Sequence, residues 1–474
     1  MRLDVEESMQ SREAMTQGKH SSIRLLLAAF VLGLLVLGAP CLVQAEQSRS
    51  LKVAEVEIEG AWKTRDSVIL ELLDLRPGDD LTPAALMRGR ERLQRSGYFY
   101  EVEISSRPGE ARGEVILELN LQERHRPYLD TGFGYRDSGG WYLNLLSLRS
   151  ENTLGLGDRT TLGFQLGFRT AGLRLESWLP LRVDSSLALR LRLGALSEDR
   201  LWYEEEPGWD GLFDEYRLGL QHSLAELALE WRPWKPARFN VGIAGVTTEP
   251  KEEGRNRDTE TNIPLGDMPA PVLEAREQAL LHGLTLGMRL GEGGMDGMPG
   301  HSMHLAGRVV SEAMGAGSDF QRWTLAVGSC YRIFGEHDIA LGLRAGHIAG
   351  EAPWYERFHI GGSYSLRGFR DHSLSPLSGH GSFWTASGEY RFPLTSSKHT
   401  RLSGLAFLDM GRGYNLVEDQ AYEIDYEALQ MGMGYGIRYE IPWAGVIGFD
   451  VGFPVTRGVT GESTWYYLTL GHSF

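Results

Sequence analysis

The sequence predicts a small α+β domain followed by an all-β transmembrane barrel of about sixteen antiparallel strands. Three observations carry this expectation. A short apolar run near the start reads as an export leader, residues 51–124 mix helix and strand signals, and segments of about ten alternating residues recur from residue 127 onward.

Composition narrows the function classes. Of 474 residues, 23% are charged and 42% hydrophobic, which fits neither a disordered chain nor a helical membrane bundle. Lys and Arg number 48 against 63 Asp and Glu, for a net charge of −15. No basic footprint for a nucleic acid is visible in that balance. The two cysteines, Cys41 and Cys330, cannot build a metal cluster of the CxxC kind.

The leader comes first. Residues 25–40 (LLLAAFVLGLLVLGAP) follow Lys19 and Arg24 and precede Val43-Gln44-Ala45. A basic region, an apolar stretch and small residues at −3 and −1 form a signal peptide over 1–45, with cleavage before Glu46. The run is shorter than the ~20 residues of a spanning helix. Residues 1–14 are acidic for a leader, so Met1 and Met15 both stay open as the start. Removal of the leader leaves Cys330 as the sole cysteine and no internal disulfide. No second apolar run of helical length follows, so the mature chain either is soluble or crosses a membrane as strands.

Residues 46–126 form the α+β domain. Val53, Val56 and Ile58 begin an extended segment, and Leu70, Leu72, Leu73 and Leu75 belong to a short helix stopped by Pro77-Gly78. Thr82 is placed as N-cap, with Pro83 at the first helical position and Gly97 as a left-handed C-terminal cap. Phe99, Val102 and Ile104 lie in the next strand, whose exposed edge over 99–105 is a candidate docking strand. A turn at Pro108-Gly109 leads to a last strand in which Val115, Leu117, Leu119 and Leu121 share one face.

Residues 127–474 form the barrel. Leu187, Leu189, Leu191 and Leu193 alternate with Ala188, Arg190, Arg192 and Gly194, which is leucine outward against arginine inward. Met431, Met433, Tyr435, Ile437 and Tyr439 alternate in the same way with Gly432, Gly434, Gly436, Arg438 and Glu440. Closure removes the edges that an exported open sheet of this size would expose. Aromatic residues at Trp178, Trp202-Tyr203, Trp231 with Trp234, and Trp465-Tyr466-Tyr467 are expected in interfacial girdles. In the last segment Tyr466, Leu468, Leu470 and the terminal Phe474 share a face.

One window breaks the strand pattern: Gly361-Gly362-Ser363-Tyr364-Ser365-Leu366-Arg367-Gly368-Phe369, within a long connection near 352–380. It resembles the arginine-glycine-aromatic loop of the outer-membrane protein assembly factor superfamily, which includes the BamA and TamA types and, as cousins, the two-partner-secretion transporters. Ser387-Gly388-Glu389-Tyr390-Arg391-Phe392-Pro393 is similar to the strand that follows in that family. Phe407-Leu408-Asp409-Met410-Gly411 resembles its phenylalanine-x-aspartate-x-glycine strand motif, in which Phe407 and Gly411 are the outer members. The segment from Gly434 to Pro442 resembles its penultimate hairpin, and Phe474 its strand-end signal. Residues 51–124, with Gly97-Tyr98-Phe99-x-x-Val102, resemble one POTRA domain. The BamA type carries several such domains and the transporters two, so the branch stays open.

The resemblance implies a loop that folds into the lumen, where Arg367 meets Glu389 and Asp409, Gly368 permits a tight turn and Phe369 packs on the inner wall. It also implies an outer-membrane barrel with its POTRA domain in the periplasm, acting without a cofactor and not as an enzyme. Its partners would be unfolded outer-membrane or secreted clients, outer-membrane lipids, and periplasmic chaperones or lipoproteins. A client would pair with the POTRA edge by β-augmentation and pass to the seam between first and last strands. Gly132, Gly134 and Gly471 are the glycines that weaken that seam. A dedicated secretion pore for one partner and a passive porin-like barrel remain the alternatives. No nucleophile elbow, P-loop or dinucleotide fingerprint stands in the required context. His301 and His304 point to opposite faces of a strand, so they do not read as a metal pair.

Overall fold

The computed structural model describes residues 51–124, 127–136, 140–167, 169–182, 185–205, 212–251, 257–258, 280–294, 299–396, 401–414, 424–441, 445–456 and 464–470. The leader, Gly471 and Phe474 lie outside the described residues.

The first domain runs β1 (Leu51–Glu59), α1 (Asp66–Leu73), β2 (Asp80–Leu81), α2 (Pro83–Arg95), β3 (Phe99–Pro108) and β4 (Glu114–Glu123). Its sheet order is β2-β1-β4-β3, with β1 parallel to β4 and β3 antiparallel to it. A register shift between Val53 and Glu55 brings Val53, Val56 and Ile58 to the same apolar core despite their uneven spacing. Leu117, Leu119 and Leu121 of β4 face Ile69 and Leu73 of α1 and Leu93 of α2 in that core. Each such side chain contributes about 1.5–3 kcal/mol by leaving water. Thr82 caps α2 by accepting from the Ala85 amide at 3.1 Å, with Pro83 at the first helical position. Gly97 takes φ +78° just past the helix, as a left-handed cap requires. Arg92 reaches back to donate to the Leu72 and Leu73 carbonyls at 2.7 and 2.9 Å, which closes the otherwise unpaired end of α1.

After this domain come sixteen strands of six or more described residues and a two-residue strand, Arg257–Asp258, from Tyr128–Arg136 to Trp465–Leu470. They form one closed barrel whose ends meet where Trp465–Leu470 lies beside Tyr128–Arg136. Alternation decides which side chains face lipid. Tyr435, Ile437 and Met433 are exposed outside, while Gly432, Gly434 and Gly436 face the interior. Arg190 and Arg192 point inward and bind Glu226, which is 3% exposed. Among the described residues no helix is long and apolar enough to cross a membrane.

The same parity corrects part of the aromatic expectation. Trp231, Trp234 and Tyr466 face outward. Trp178 instead turns into the lumen, where its Nε1–H points at Glu230, and Tyr203 and Tyr467 are buried against the inner loop. Neighbours in an aromatic run alternate between the two faces, so a run cannot belong wholly to a girdle.

Candidate functional site: an arginine lock inside the barrel

The connection between strands His337–Gly350 and Ser382–Ser396 enters the lumen rather than leaving it. A bridge between Phe358 and His380 closes its neck, and a second between Gly362 and Leu366 forms its tip. Arginines from around the wall hold it. Arg200 donates to the Tyr355 carbonyl at 3.0 Å, Arg322 to the Glu356 carbonyl at 3.0 Å, and Arg169 to Asp371 at 2.8 Å. Arg344 donates to the Tyr364 carbonyl, and Arg308 pairs with Glu356. On the far side Leu366 and Phe369 pack with Ile360, Leu374, Tyr203 and Tyr426.

Arg367 sits at the centre and is 2% exposed. Its Nε and Nη2 form a bidentate pair with Asp409 at 2.7 and 3.0 Å. Nη1 donates to Glu389 at 2.6 Å and to Asp450 at 3.4 Å, and Nη2 donates to Ser387 at 3.2 Å. All five guanidinium N–H groups therefore have acceptors. The cation also lies 3.6 Å from the Phe407 ring centroid, a cation–π contact. Arg391 donates to Glu389 at 2.8 Å, and Arg438 to Asp450 at 2.8 Å. Three arginines thus balance three carboxylates across four barrel strands and the loop.

Glycines make the approach possible. Gly368 has φ +102°, and a Cβ there would meet the Phe453 carbonyl at 2.8 Å. On the wall, a Cβ on Gly432 would lie 1.8 Å from the Arg367 carbonyl oxygen. The Gly368 amide donates to the Tyr467 hydroxyl at 2.8 Å, and that hydroxyl donates to the Phe369 carbonyl at 2.7 Å. The motif is thereby tied to Trp465–Leu470, the strand at the closure.

The structure brings Leu366, Arg367, Gly368, Phe369, Glu389, Asp409, Phe407 and Gly411 into one cluster, with a Cβ on Gly411 meeting Leu366 at 3.0 Å. Asp450, Arg438, Arg391 and Tyr467 also join it, although none was assigned there from the sequence. Asp450 had one visible signal, an acid at the inward position between outward-facing Phe449 and Val451. Tyr466 and Leu468 face outward, Leu470 ends the last described strand, and Gly132 and Gly134 lie on the first barrel strand.

The first domain is held against the first periplasm-side turn, 152–158. Asn152 Nδ2 donates to Thr64 Oγ1 at 2.6 Å, the Arg65 amide to the Gly155 carbonyl at 3.1 Å, and the Tyr98 hydroxyl to the Gly157 carbonyl at 3.0 Å. Burial raises the Tyr98 pKa to about 12, so the phenol stays a donor at any physiological pH. β3 pairs on one side only, with β4, and Phe99 and Val102 point into the core while Ile104 packs against it. The Arg124 guanidinium lies 4.4 Å from both the Tyr100 ring of β3 and the Tyr128 ring of the first barrel strand. The open edge is thus linked to one side of the closure.

These features define a closed β-barrel with an inward-folded loop, preceded by an α/β domain. Residues 298–474 match the Omp85 superfamily domain, and residues 51–124 match the POTRA model, a surface antigen variable number repeat. These two matches, with the relatives below, support a BamA/TamA-type superfamily member with a POTRA domain. It is 24% identical over 439 residues to the outer membrane protein assembly factor BamA of Nitratidesulfovibrio vulgaris, covering 89% of this chain and 51% of that relative. BamA of Neorickettsia risticii is 22% identical over 436 residues, covering 87% of this chain and 53% of its own. The chain spans about half the length of these curated relatives. Among solved structures, BamA from Haemophilus ducreyi lacking POTRA domains 1–3 superposes with a TM-score of 0.60 at 17% identity, over 89% of this chain and 84% of that one. CdiB from Escherichia coli gives 0.55 at 16% identity, over 90% and 75%. These two likenesses speak for the fold alone.

Proposed function

We propose that this protein inserts or translocates other outer-membrane or secreted proteins. The client arrives as an extended chain, pairs with the free edge of β3 and is passed to the seam between Trp465–Leu470 and Tyr128–Arg136. The observation that carries this reading is the adjacency of edge and seam, bridged by Arg124 between Tyr100 and Tyr128. Main-chain pairing tolerates many client sequences, because the ladder uses backbone groups alone. Gly132 and Gly134 lower the cost of opening the first strand. The luminal lock keeps one side of the seam fixed through Tyr467, so that opening would move the first strand rather than the last.

In this reading the chain performs no bond chemistry and uses no cofactor. A curated relative named as an assembly factor favours insertion, and dedicated secretion of one partner stands as the second reading. The test is the insertion rate of an unfolded outer-membrane barrel into liposomes holding the full protein, a version lacking residues 51–124, or nothing. Insertion accelerated only by the full protein supports the proposal. A steady ion conductance with no acceleration would favour a passive pore.

A further inference from the structure

On the wall opposite the closure, the outer face of the barrel is hollow. Leu229, Val241 and Leu286 lie opposite one another on three neighbouring strands and are all exposed, which fixes the outward parity there. The same parity sets Met288 opposite Leu305 and Leu290 opposite Met303, with Leu325 and Val327 next to them on the outer face. Met303 and Leu325 are nevertheless only 0% and 3% exposed, whereas the outward Ile437 and Leu468, nearer the closure, are 46% and 55% exposed. Outward side chains stand apart on a convex wall, but these pack on one another, so the wall is dished here.

Beside the dish runs a groove of about 570 Å³ lined chiefly by apolar side chains, among them Leu229, Trp231, Phe239, Val241, Met288 and Trp323. Gly307 deepens it, since a Cβ there would lie 2.3 Å from the Trp323 ring; glycine lets that ring lie against the wall. The groove begins at the periplasmic rim. There Trp231 and Trp234 flank Phe239 at centroid distances of 5.6 and 6.4 Å, and Lys235 of the same turn reaches Asp74 of the first domain at 3.2 Å. Aromatic rings at a rim mark the depth of the lipid headgroups.

We infer that this groove is a binding site for one acyl chain of a phospholipid in the periplasmic leaflet. Its volume falls within the range of small-molecule sites, ~300–1,000 Å³. Its lining faces hydrocarbon and touches a chain on several sides, where a flat wall would touch it on one. A client strand does not fit, because every strand from Leu187–Glu205 to Phe320–Phe334 is paired on both sides and offers no main-chain edge. A second copy fits no better, since a two-fold contact would set the hollow against itself and leave it unfilled. These strands are the fifth to tenth of the sixteen long ones, so the site is separate from the seam and holds whether or not the barrel handles clients.

The test is native mass spectrometry of the full chain in detergent, titrated with dioleoyl phosphatidylethanolamine. The inference expects one lipid to stay bound at collision energies that strip the micelle and loosely held lipids. V241W/L286W sets two rings across the groove and should weaken that retention about tenfold. G307A, which drives the Trp323 ring into the groove, should act in the same direction. I437W, at an outward position elsewhere on the barrel, should leave retention unchanged. Heat-modifiable mobility checks that the variants remain folded barrels. Dioleoyl phosphatidylglycerol should be held within about twofold of the ethanolamine lipid, and dihexanoyl phosphatidylethanolamine should not be held. No retained lipid on the wild type, or retention unchanged in the folded groove variants, would overturn the inference. A headgroup preference that outweighs chain length would also overturn it. So would a lipid-free dimer abolished by V241W/L286W, because the groove would then be an interface between copies.

Discussion

At the scale of the residue, Arg367 is a buried cation whose five donors are all used, inside a set of three arginines and three carboxylates. Removing one member leaves an uncompensated buried charge, at a cost of about 3–5 kcal/mol. Arg367→Ala and Asp409→Ala are each expected to lower barrel stability by that order in urea titrations followed by heat-modifiable mobility. The double variant should lose clearly less than the sum of the two, and strict additivity would refute direct coupling. Gly432→Ala tests the packing instead of the charge. Its methyl group would overlap the Arg367 carbonyl, so it should expose the loop to protease as strongly as Arg367→Ala does, while loop protection unchanged from wild type would contradict the account. Glu389 and Asp409 were legible because strand parity and a motif resemblance pointed to the same side chains. Asp450 and Arg438 were not, because the pairing between distant strands that assembles them is absent from local pattern. Tyr467 was hidden by its aromatic neighbours, and only its inward parity separates it from Tyr466.

At the scale of the element, the turn 152–158 joins the first domain to the barrel. Asn152 joins the turn 152–158 to the POTRA domain through Thr64, accepts from the Gly157 amide at 2.7 Å, and holds φ +55°. Asn152→Ala removes both bonds and places a Cβ-only residue in a left-handed conformation, for a loss of roughly 2–4 kcal/mol from that contact. Faster hydrogen exchange in α1 and the 152–158 turn, with the barrel strands unchanged, is the expected result, and unchanged exchange in both would contradict it. The loop adds a pH dependence. Burial lowers the pKa of His380 to about 4 and holds that of His359 well below its usual value, with Arg357 facing the first and Arg200, His372 and His380 the second. Both imidazoles are therefore neutral in the folded loop and near pKa 6.5 when released. Their contribution is complete above about pH 6.5 and is lost as pH falls toward 4. Protease protection of 351–381 should decline over that window, and H380N should shrink the decline; a flat profile in the wild type would contradict this. The helices and strands of the POTRA domain were readable from capping residues and alternation. The short β2 was not, since two residues carry no period.

At the scale of the molecule, alternation over many segments predicted a barrel, and closure follows because an open sheet of that size would leave two edges in lipid. The alternation could not reveal that the loop, the last strand and the POTRA edge form one connected path. That path runs from β3 through Arg124 to the first barrel strand, and from Arg367 through Gly368 and Tyr467 to the last. It places an anchored strand on one side of the closure and the open edge of β3, the proposed client-docking strand, on the other. The proposed mechanism needs this asymmetry, since a seam anchored on neither side would offer no fixed template for an incoming strand. The most direct measurement is the liposome insertion assay, with the client's folding followed in time by heat-modifiable mobility. The account predicts that full-length protein accelerates insertion well above empty liposomes and that loss of residues 51–124 abolishes the gain. Equal rates for full-length protein and empty liposomes, with the barrel verified as folded, would contradict it.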